Sequence, residues 1–142
     1  MQRGRRIAFD YGDVRIGVAV CDPDAILSSP LTTLQSKSKD LFRQIEEIIT
    51  SNDAKTIFVG KPTLLSGQEG EAVSKVTDFV AQLAHHTEIE IVLVDERLST
   101  VSAMKKLQSA GVNAKDARLS IDAMAAVAIL EQGLAMMKSR EQ

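Results

Sequence analysis

Cysteine, aromatic residues and long apolar runs are all scarce in this 142-residue chain. The single cysteine, Cys21, can form no internal disulfide, and no cysteine cluster is present for zinc. Aromatic residues make up 4% of the chain, so no stacking platform for bases is visible. The longest apolar run, Ala123 to Leu130, is far shorter than the roughly 20 residues of a membrane-spanning helix. Asp10 also interrupts the apolar stretch near the N-terminus, which argues against a secretory signal. We therefore expect a cytoplasmic protein without a transmembrane segment.

An excess of basic charge is missing as well. The formal net charge is −2 and the pI is near 5.7, which is not typical of a protein that coats nucleic acid. Two bound divalent cations would change the net charge from −2 to +2, on the stoichiometry of a two-metal site. The charge therefore disfavours a passive nucleic-acid-coating protein more strongly than a metal-loaded enzyme.

Length and composition favour one globular domain over residues 1–142. Hydrophobic residues make up 44% and charged residues 25%, which suits a soluble protein with a substantial core. The first elements are two β-branched, apolar segments, Arg6 to Asp10 and Arg15 to Cys21, which predict an antiparallel hairpin with Gly12 in its turn. A short third strand is predicted at Leu31 to Leu34, after a break at Pro30.

The rest of the chain alternates between helical and strand patterns. Apolar periodicity, capping residues and β-branched runs predict the following elements, in order: a helix from Lys39 to Ser51 capped by Ser38, a buried strand from Lys55 to Gly60, a helix from Glu71 to about His85, a buried strand from Ile89 to Val94, a helix from Ser99 or Thr100 to Ala110, and a mostly buried helix from Leu119 to Met137. This order predicts an α/β fold with a mixed sheet of about five strands. An antiparallel hairpin or meander precedes parallel βα units, and helices cover both faces.

Acidic residues stand at two strand ends. Period-two alternation places Asp10 on the face of Ala8, opposite Ile7 and Phe9, although an aspartate before Gly12 is equally typical of a turn. Asp95 and Glu96 directly follow a hydrophobic strand, and ligands bind at strand carboxyl ends in open α/β sheets. The plainer alternative is a strand that becomes charged where it reaches water.

Asp122 is a third candidate acid. It is the only charged residue between Leu119 and Leu130, in an otherwise apolar helix. Burial of a lone carboxylate costs several kcal/mol unless the group is paired, protonated or bound to metal. The alternative is that Asp122 lies near the helix start and interacts favourably with the helix dipole.

Together, Asp10, Glu96 and Asp122 form the set that a two-metal phosphodiesterase requires, with Mg²⁺ or Mn²⁺ as the ions that prefer such oxygen ligands. Substrate phosphates could be positioned by cations and free amides near strand ends. The candidates for substrate binding are Arg15, Lys61, Gly67, Arg97, Ser99 and Thr100. For any one of these residues, a solvated surface position is the commoner outcome.

Four sequence blocks together resemble the YqgF family, also called Holliday-junction-resolvase-like or pre-16S ribosomal RNA nucleases. The blocks cover nearly the whole chain in order: Phe9-Asp10-Tyr11-Gly12 with Arg15-Ile16-Gly17-Val18-Ala19, Val59-Gly60-Lys61-Pro62 with Gly67-Gln68-Glu69-Gly70, Asp95-Glu96-Arg97-Leu98-Ser99-Thr100, and Ile121-Asp122-Ala123-Met124-Ala125-Ala126. Four blocks at consistent spacing are far more specific than one Asp-x-Gly motif.

The resemblance implies a ribonuclease H-like fold, the bacterial cytoplasm, and processing of the 5′ end of the small-subunit ribosomal RNA precursor. It also implies that Asp10, Glu96 and Asp122 are the catalytic metal ligands, with Asp95 a less certain one. The chain departs from the family at Asp13 and Val14, where a small hydroxyl residue and a lysine are more usual, and at Lys61, where leucine is common. Asp13 could add a fourth acid to the site or only shape the turn.

Three rival functions follow from the same features. A Holliday-junction-resolvase-like enzyme would cut branched DNA instead of RNA, a label that comes from fold similarity alone. An actin-like or sugar-kinase ATPase also begins with Asp-x-Gly, but it needs two lobes where 142 residues provide one. A non-catalytic ribosome-assembly factor that binds RNA would suit the acidic pI.

Overall fold

The computed structural model describes residues 2–62, 70–96 and 115–140, with the side chains of the last helix described from residue 121 onward. Within these ranges the strands are β1 (Arg6–Tyr11), β2 (Arg15–Cys21), β3 (Ser28–Gln35), β4 (Thr56–Lys61) and β5 (Glu90–Asp95). The helices are α1 (Leu41–Asn52), α2 (Glu71–Ala84) and α3 (Lys115–Arg140).

The five strands form one mixed sheet in the order β3-β2-β1-β4-β5. β1 pairs antiparallel with β2, and β2 pairs antiparallel with β3. β4 then lies parallel to β1 on its other side, and β5 lies parallel to β4. The predicted mixed sheet of about five strands, a meander followed by parallel βα units, is therefore confirmed.

Helices cover both faces of this sheet, as predicted, and each face has its own apolar core. On one face α1 and α2 pack against Ile7, Phe9, Ile57 and Val59. On the other face α3 packs against Ala8, Ala19, Phe58 and Val94. Strand alternation produces this division, because neighbouring residues of a strand point to opposite faces. The small residues on the second face let α3 lie close to the sheet.

The third strand is longer than predicted, and the interpretation of Pro30 as a break is wrong. β3 runs through Pro30, which is paired with Ala19 next to a register shift between Val18 and Ala19. β3 is an edge strand, and an edge strand tolerates proline because one row of its amides needs no ladder partner.

β5 is not the buried strand that its apolar sequence predicts. It is the other edge of the sheet, and of its six residues only Val94 is buried. A continuous run of aliphatic residues is typical of a central parallel strand, but such a run carries no information about which strand lies at the edge.

Helix boundaries also differ from the predictions in part. Asp40, not Ser38, is the N-cap of α1, and the helix starts at Leu41, while the Ser38 hydroxyl accepts a hydrogen bond from the Asp40 amide at 3.2 Å. α3 extends beyond Leu119 and Met137 to Lys115–Arg140, and residues 125–130 are all buried. The helix predicted from Ser99 or Thr100 to Ala110 lies outside the described residues. Among the helices that are described, none is long and apolar enough to cross a membrane.

Candidate active site

Asp10 lies between two glycines in a row that crosses the sheet. It pairs directly with Gly17 of β2. On its other side the parallel register pairs Phe9 with Val59, so that the next residues, Asp10 and Gly60, are neighbours. Residues paired across strands point to the same face. Asp10 is therefore flanked by two positions without side chains on the face that α3 covers.

Asp10 is almost completely buried, with 5% of its surface exposed. Ala8, two residues earlier, belongs to the core under α3, and Ile7 and Phe9 belong to the opposite core. The predicted orientation of Asp10 relative to Phe9 is thus confirmed.

Asp122 reaches the same row from α3. The helix backbone lies so close to β2 that a Cβ atom added to Gly17 would be 2.0 Å from the carbonyl oxygen of Asp122. The Asp122 carboxylate accepts a hydrogen bond from Nε of Arg15, with 2.8 Å between Nε and Oδ2. This ion pair is largely buried, since 24% of the Arg15 side chain and 15% of the Asp122 side chain are exposed.

Glu96 approaches the row from the end of β5. A Cβ atom added to Gly60 would lie 2.8 Å from Oε1 of Glu96 and 2.5 Å from Cδ1 of Ile129. Glu96 is 6% exposed. Gly60 therefore provides the space into which this carboxylate extends, directly beside Asp10.

The three predicted acids thus surround one row of backbone: Asp122 lies over Gly17, Asp10 lies in the middle, and Glu96 lies over Gly60. They come from β1, the end of β5 and α3, elements that are distant along the chain. In the part of the chain that the structure describes, no three histidine, cysteine or acidic side chains are arranged as a preformed metal site.

Asp95 and Lys61 are paired on adjacent parallel strands. Because Val94 and Gly60 belong to the α3 face, alternation places Asp95 and Lys61 on the face of α1 and α2. The strand therefore carries Asp95 and Glu96 to opposite sides. Both Asp95 and Lys61 have interactions of their own in the folded protein.

Asp13, the possible fourth acid, lies at the tip of the β1–β2 hairpin. Its carboxylate forms an ion pair with Lys75 of α2 at 3.0 Å, and 64% of the Asp13 side chain is exposed. Lys75 also lies 3.7 Å from Glu71. These carboxylates raise the pKa of Lys75, chiefly through its hydrogen bond with Asp13. Asp13 thus ties the hairpin to α2.

Four of the predicted substrate-binding residues lie outside the described residues: Gly67, Arg97, Ser99 and Thr100. Arg15, by contrast, is well placed beside the acids.

Sequence reasoning missed the part that Gly17 and Gly60 take in the site. The strand pattern identifies Gly60 as the end of a strand and Gly17 as a residue of the second strand, and both belong to the blocks that resemble the family, but neither pattern assigns them a place beside the acids. The available signal was a glycine within a β-branched run, which often marks a close approach of another chain segment. The pairing of Arg15 with Asp122 had no such signal, since 107 residues separate the two.

Comparison with known proteins yields close relatives over nearly the whole chain. A protein of Streptomyces coelicolor named pre-16S rRNA nuclease is 43% identical over 136 residues, which cover 94% of this chain and 81% of that protein. A protein of Mycobacterium leprae with the same name is 42% identical over 135 residues, covering 94% and 73%.

Solved structures share the fold at low sequence identity. RuvC of Thermus thermophilus in complex with a Holliday junction substrate matches with a TM-score of 0.62 at 12% identity, covering 95% of this chain and 96% of that one. A second RuvC structure from the same organism has a TM-score of 0.57 at 13% identity, with the same coverage. The likeness confirms the predicted ribonuclease H-like fold.

A family model described as RuvX, Holliday junction resolvase, matches residues 4–136. That range contains all three acids and both glycines of the row. The match agrees with the resemblance seen in the sequence blocks. The chain therefore belongs to the RuvX family, whose members are nucleases that hydrolyse phosphodiester bonds of nucleic acids.

Proposed function

We propose that this protein is a divalent-metal-dependent nuclease that processes the 5′ end of pre-16S ribosomal RNA in the cytoplasm during ribosome biogenesis. It would act as a single ribonuclease H-like domain over residues 1–142. The choice of RNA rests on the relatives, which are named for pre-16S rRNA and are more than 40% identical to this chain over the 135 or 136 aligned residues. The choice of reaction rests on the site.

The observation that carries the proposal is the set of buried carboxylates around the Gly17–Asp10–Gly60 row. Carboxylates as buried as Asp10 and Glu96 are costly unless they are compensated. Their oxygen atoms are the ligands that Mg²⁺ and Mn²⁺ prefer. The two glycines let Asp122 and Glu96 approach the row, because a side chain at either position would collide with the Asp122 backbone or with the Glu96 carboxylate. The donor set therefore fits a divalent cation.

Asp10, Glu96 and Asp122 would hold the metal. When bound, Mg²⁺ or Mn²⁺ would supply an activated water and stabilise the charge on the leaving oxygen. Glu96 fits this task better than Asp95, because Glu96 lies over Gly60 while Asp95 belongs to the opposite face. The burial of Asp10 and Glu96 keeps bulk water away from both carboxylates.

The remaining predicted residues would position the substrate. We assign Lys61, Arg97 and Arg15 to the phosphates as cations, and the Gly67 amide with the Ser99 and Thr100 hydroxyls as neutral donors. Lys61 and Asp95 stand side by side at the carboxyl edge of the sheet, the edge at which ligands of open α/β sheets bind.

The test is cleavage of 5′-extended 16S precursor RNA by the purified protein with Mg²⁺ or Mn²⁺. We expect Asp10→Asn to reduce cleavage to background, because it removes a metal-binding charge without changing side-chain volume. Asp24→Asn is the matched control, since Asp24 is an exposed acid whose partner is Arg3 at the surface. Urea unfolding of both variants checks that they fold.

Cleavage by Asp10→Asn at the wild-type rate would refute the proposal, and so would an unchanged rate in EDTA. A four-way DNA junction belongs in the same assay, because the family model is described by Holliday junction resolution. Cutting of the junction in preference to the RNA would establish a resolvase instead. Tight RNA binding without any cutting would establish an assembly factor.

A further inference from the structure

Arg15 places a positive charge directly on one of the site's acids. Its Nε lies 2.8 Å from Oδ2 of Asp122, across the contact between β2 and α3. A surface pair offers a comparison, because Nε of Arg3 lies 3.0 Å from Oδ1 of Asp24 while the two side chains are 73% and 55% exposed. The Arg15 pair has the same geometry in a far drier environment.

Burial changes what such a pair does. At the surface an ion pair contributes little, because water screens both charges. In a mostly buried position, loss of one partner removes a charge that compensates the other, which is destabilising. Asp122 is in that position, and Asp10 and Glu96 add negative charge around the same row. A guanidinium is suited to the task because it stays charged at every physiological pH.

We propose that Arg15 is the built-in counter-cation of the site: it compensates Asp122 while no metal is bound, and it thereby weakens metal binding to a reversible level. This rests on the proposed function, since it takes Asp122 as a metal ligand. A divalent cation that binds Asp122 meets the charge of Arg15 nearby, and like charges repel. Arg15 is thus a positioning residue whose effect on stability and on metal affinity should have opposite signs.

The experiment compares Arg15→Gln, Arg15→Lys and the matched surface variant Arg3→Gln with the wild type. In EDTA, urea unfolding should show that Arg15→Gln raises the unfolding equilibrium constant about tenfold or more. Calorimetric titration with Mn²⁺ should show a dissociation constant about tenfold lower for Arg15→Gln than for the wild type. Arg15→Lys should recover most of both properties, and Arg3→Gln should change neither.

Opposite results would overturn the inference. Weaker Mn²⁺ binding by Arg15→Gln would mean that Arg15 orients a ligand and does not compete with the metal. Unchanged stability in EDTA would mean that Arg15 does not compensate Asp122, and absence of Mn²⁺ binding by both proteins would remove the metal from the site. If Arg15→Gln does not fold in EDTA, the double variant with Asp122→Asn decides, because it should fold again. Persistent unfolding of the double variant would count against the inference.

Failure of the proposed function has a different signature. Tighter Mn²⁺ binding by Arg15→Gln, together with no cleavage of RNA or DNA by the wild type, would support the counter-cation and refute the nuclease. Cleavage that depends on Mn²⁺, without the expected change in affinity, would support the nuclease and refute the counter-cation.

Discussion

A single methyl group at residue 17 should displace the site, because the backbone of α3 occupies the space beside that residue. In Gly17→Ala the new Cβ would lie 2.0 Å from the carbonyl oxygen of Asp122 and 2.5 Å from its carbonyl carbon. Ordinary van der Waals contact begins near 3.4 Å. No rotamer change can relieve the clash, because both atoms belong to the helix backbone.

The required movement follows from these distances. Separation of the Cβ and the oxygen from 2.0 to 3.4 Å moves α3 away from β2 by about 1.4 Å. Overpacking of this kind costs roughly 1–3 kcal/mol of unfolding free energy. A misplacement of about 1 Å at a reacting centre can reduce a rate on the order of 100-fold. We therefore expect a folded protein with a moderate loss of stability and a large loss of cleavage.

Two other glycines separate these effects. In Gly133→Ala the Cβ would lie 2.5 Å from the Phe58 ring, so that stability should fall. This clash, however, lies about 16 Å from Asp122 along the axis of α3. Cleavage per folded molecule should therefore fall much less than in Gly17→Ala. In Gly70→Ala nothing lies within 4 Å of the Cβ, so that cleavage should not change measurably, and stability should fall only by the cost of an alanine at the N-cap of α2.

Urea unfolding and initial cleavage rates, measured on the same preparations, give both quantities. The reasoning fails if Gly17→Ala cuts as fast as the wild type, since α3 would then not hold Asp122 in its working position. It also fails if Gly133→Ala loses as much activity as Gly17→Ala, because packing of the helix as a whole would then explain both.

Two predictions concern groups away from the acids. Burial raises the pKa of the Cys21 thiol above its ordinary value, so the folded protein should resist alkylation by iodoacetamide at pH 8. Its stability should decline as the pH rises past the ordinary thiol pKa, because the unfolded chain then ionises first. Rapid alkylation in the absence of urea would contradict this prediction. Hydrogen bonds from the backbone amides of Leu27, Ile26 and Asp24 lower the pKa of Asp22. Its contribution to stability is therefore complete above the ordinary carboxyl pKa and is lost as the pH falls through the lowered value. Asp22→Asn should reduce the unfolding free energy at neutral pH and weaken its dependence on acid, and equal acid profiles for variant and wild type would refute this.

Local patterns in the sequence were sufficient for much of the architecture. Alternation along β1 oriented Asp10 correctly relative to Phe9, because neighbouring strand residues must point to opposite faces wherever helices cover both. Helical spacing identified α1 and α2, and the aliphatic composition of α3 identified a helix with six consecutive buried residues. These features depend on contacts that each segment makes with a core, whichever segments supply that core.

Tertiary structure alone decided which segments meet. The apolar sequence of β5 could not show that it is an edge strand, because strand order depends on the path of the crossovers. No local pattern in the sequence could show that Arg15 pairs with Asp122. None could show that Gly17 and Gly60 make room for Asp122 and Glu96. Such contacts join residues far apart in the chain, and their cost or benefit exists only once β2, β4 and α3 have packed. The sequence by itself determined the faces of the elements and the residue types at the site, and the fold determined their neighbours.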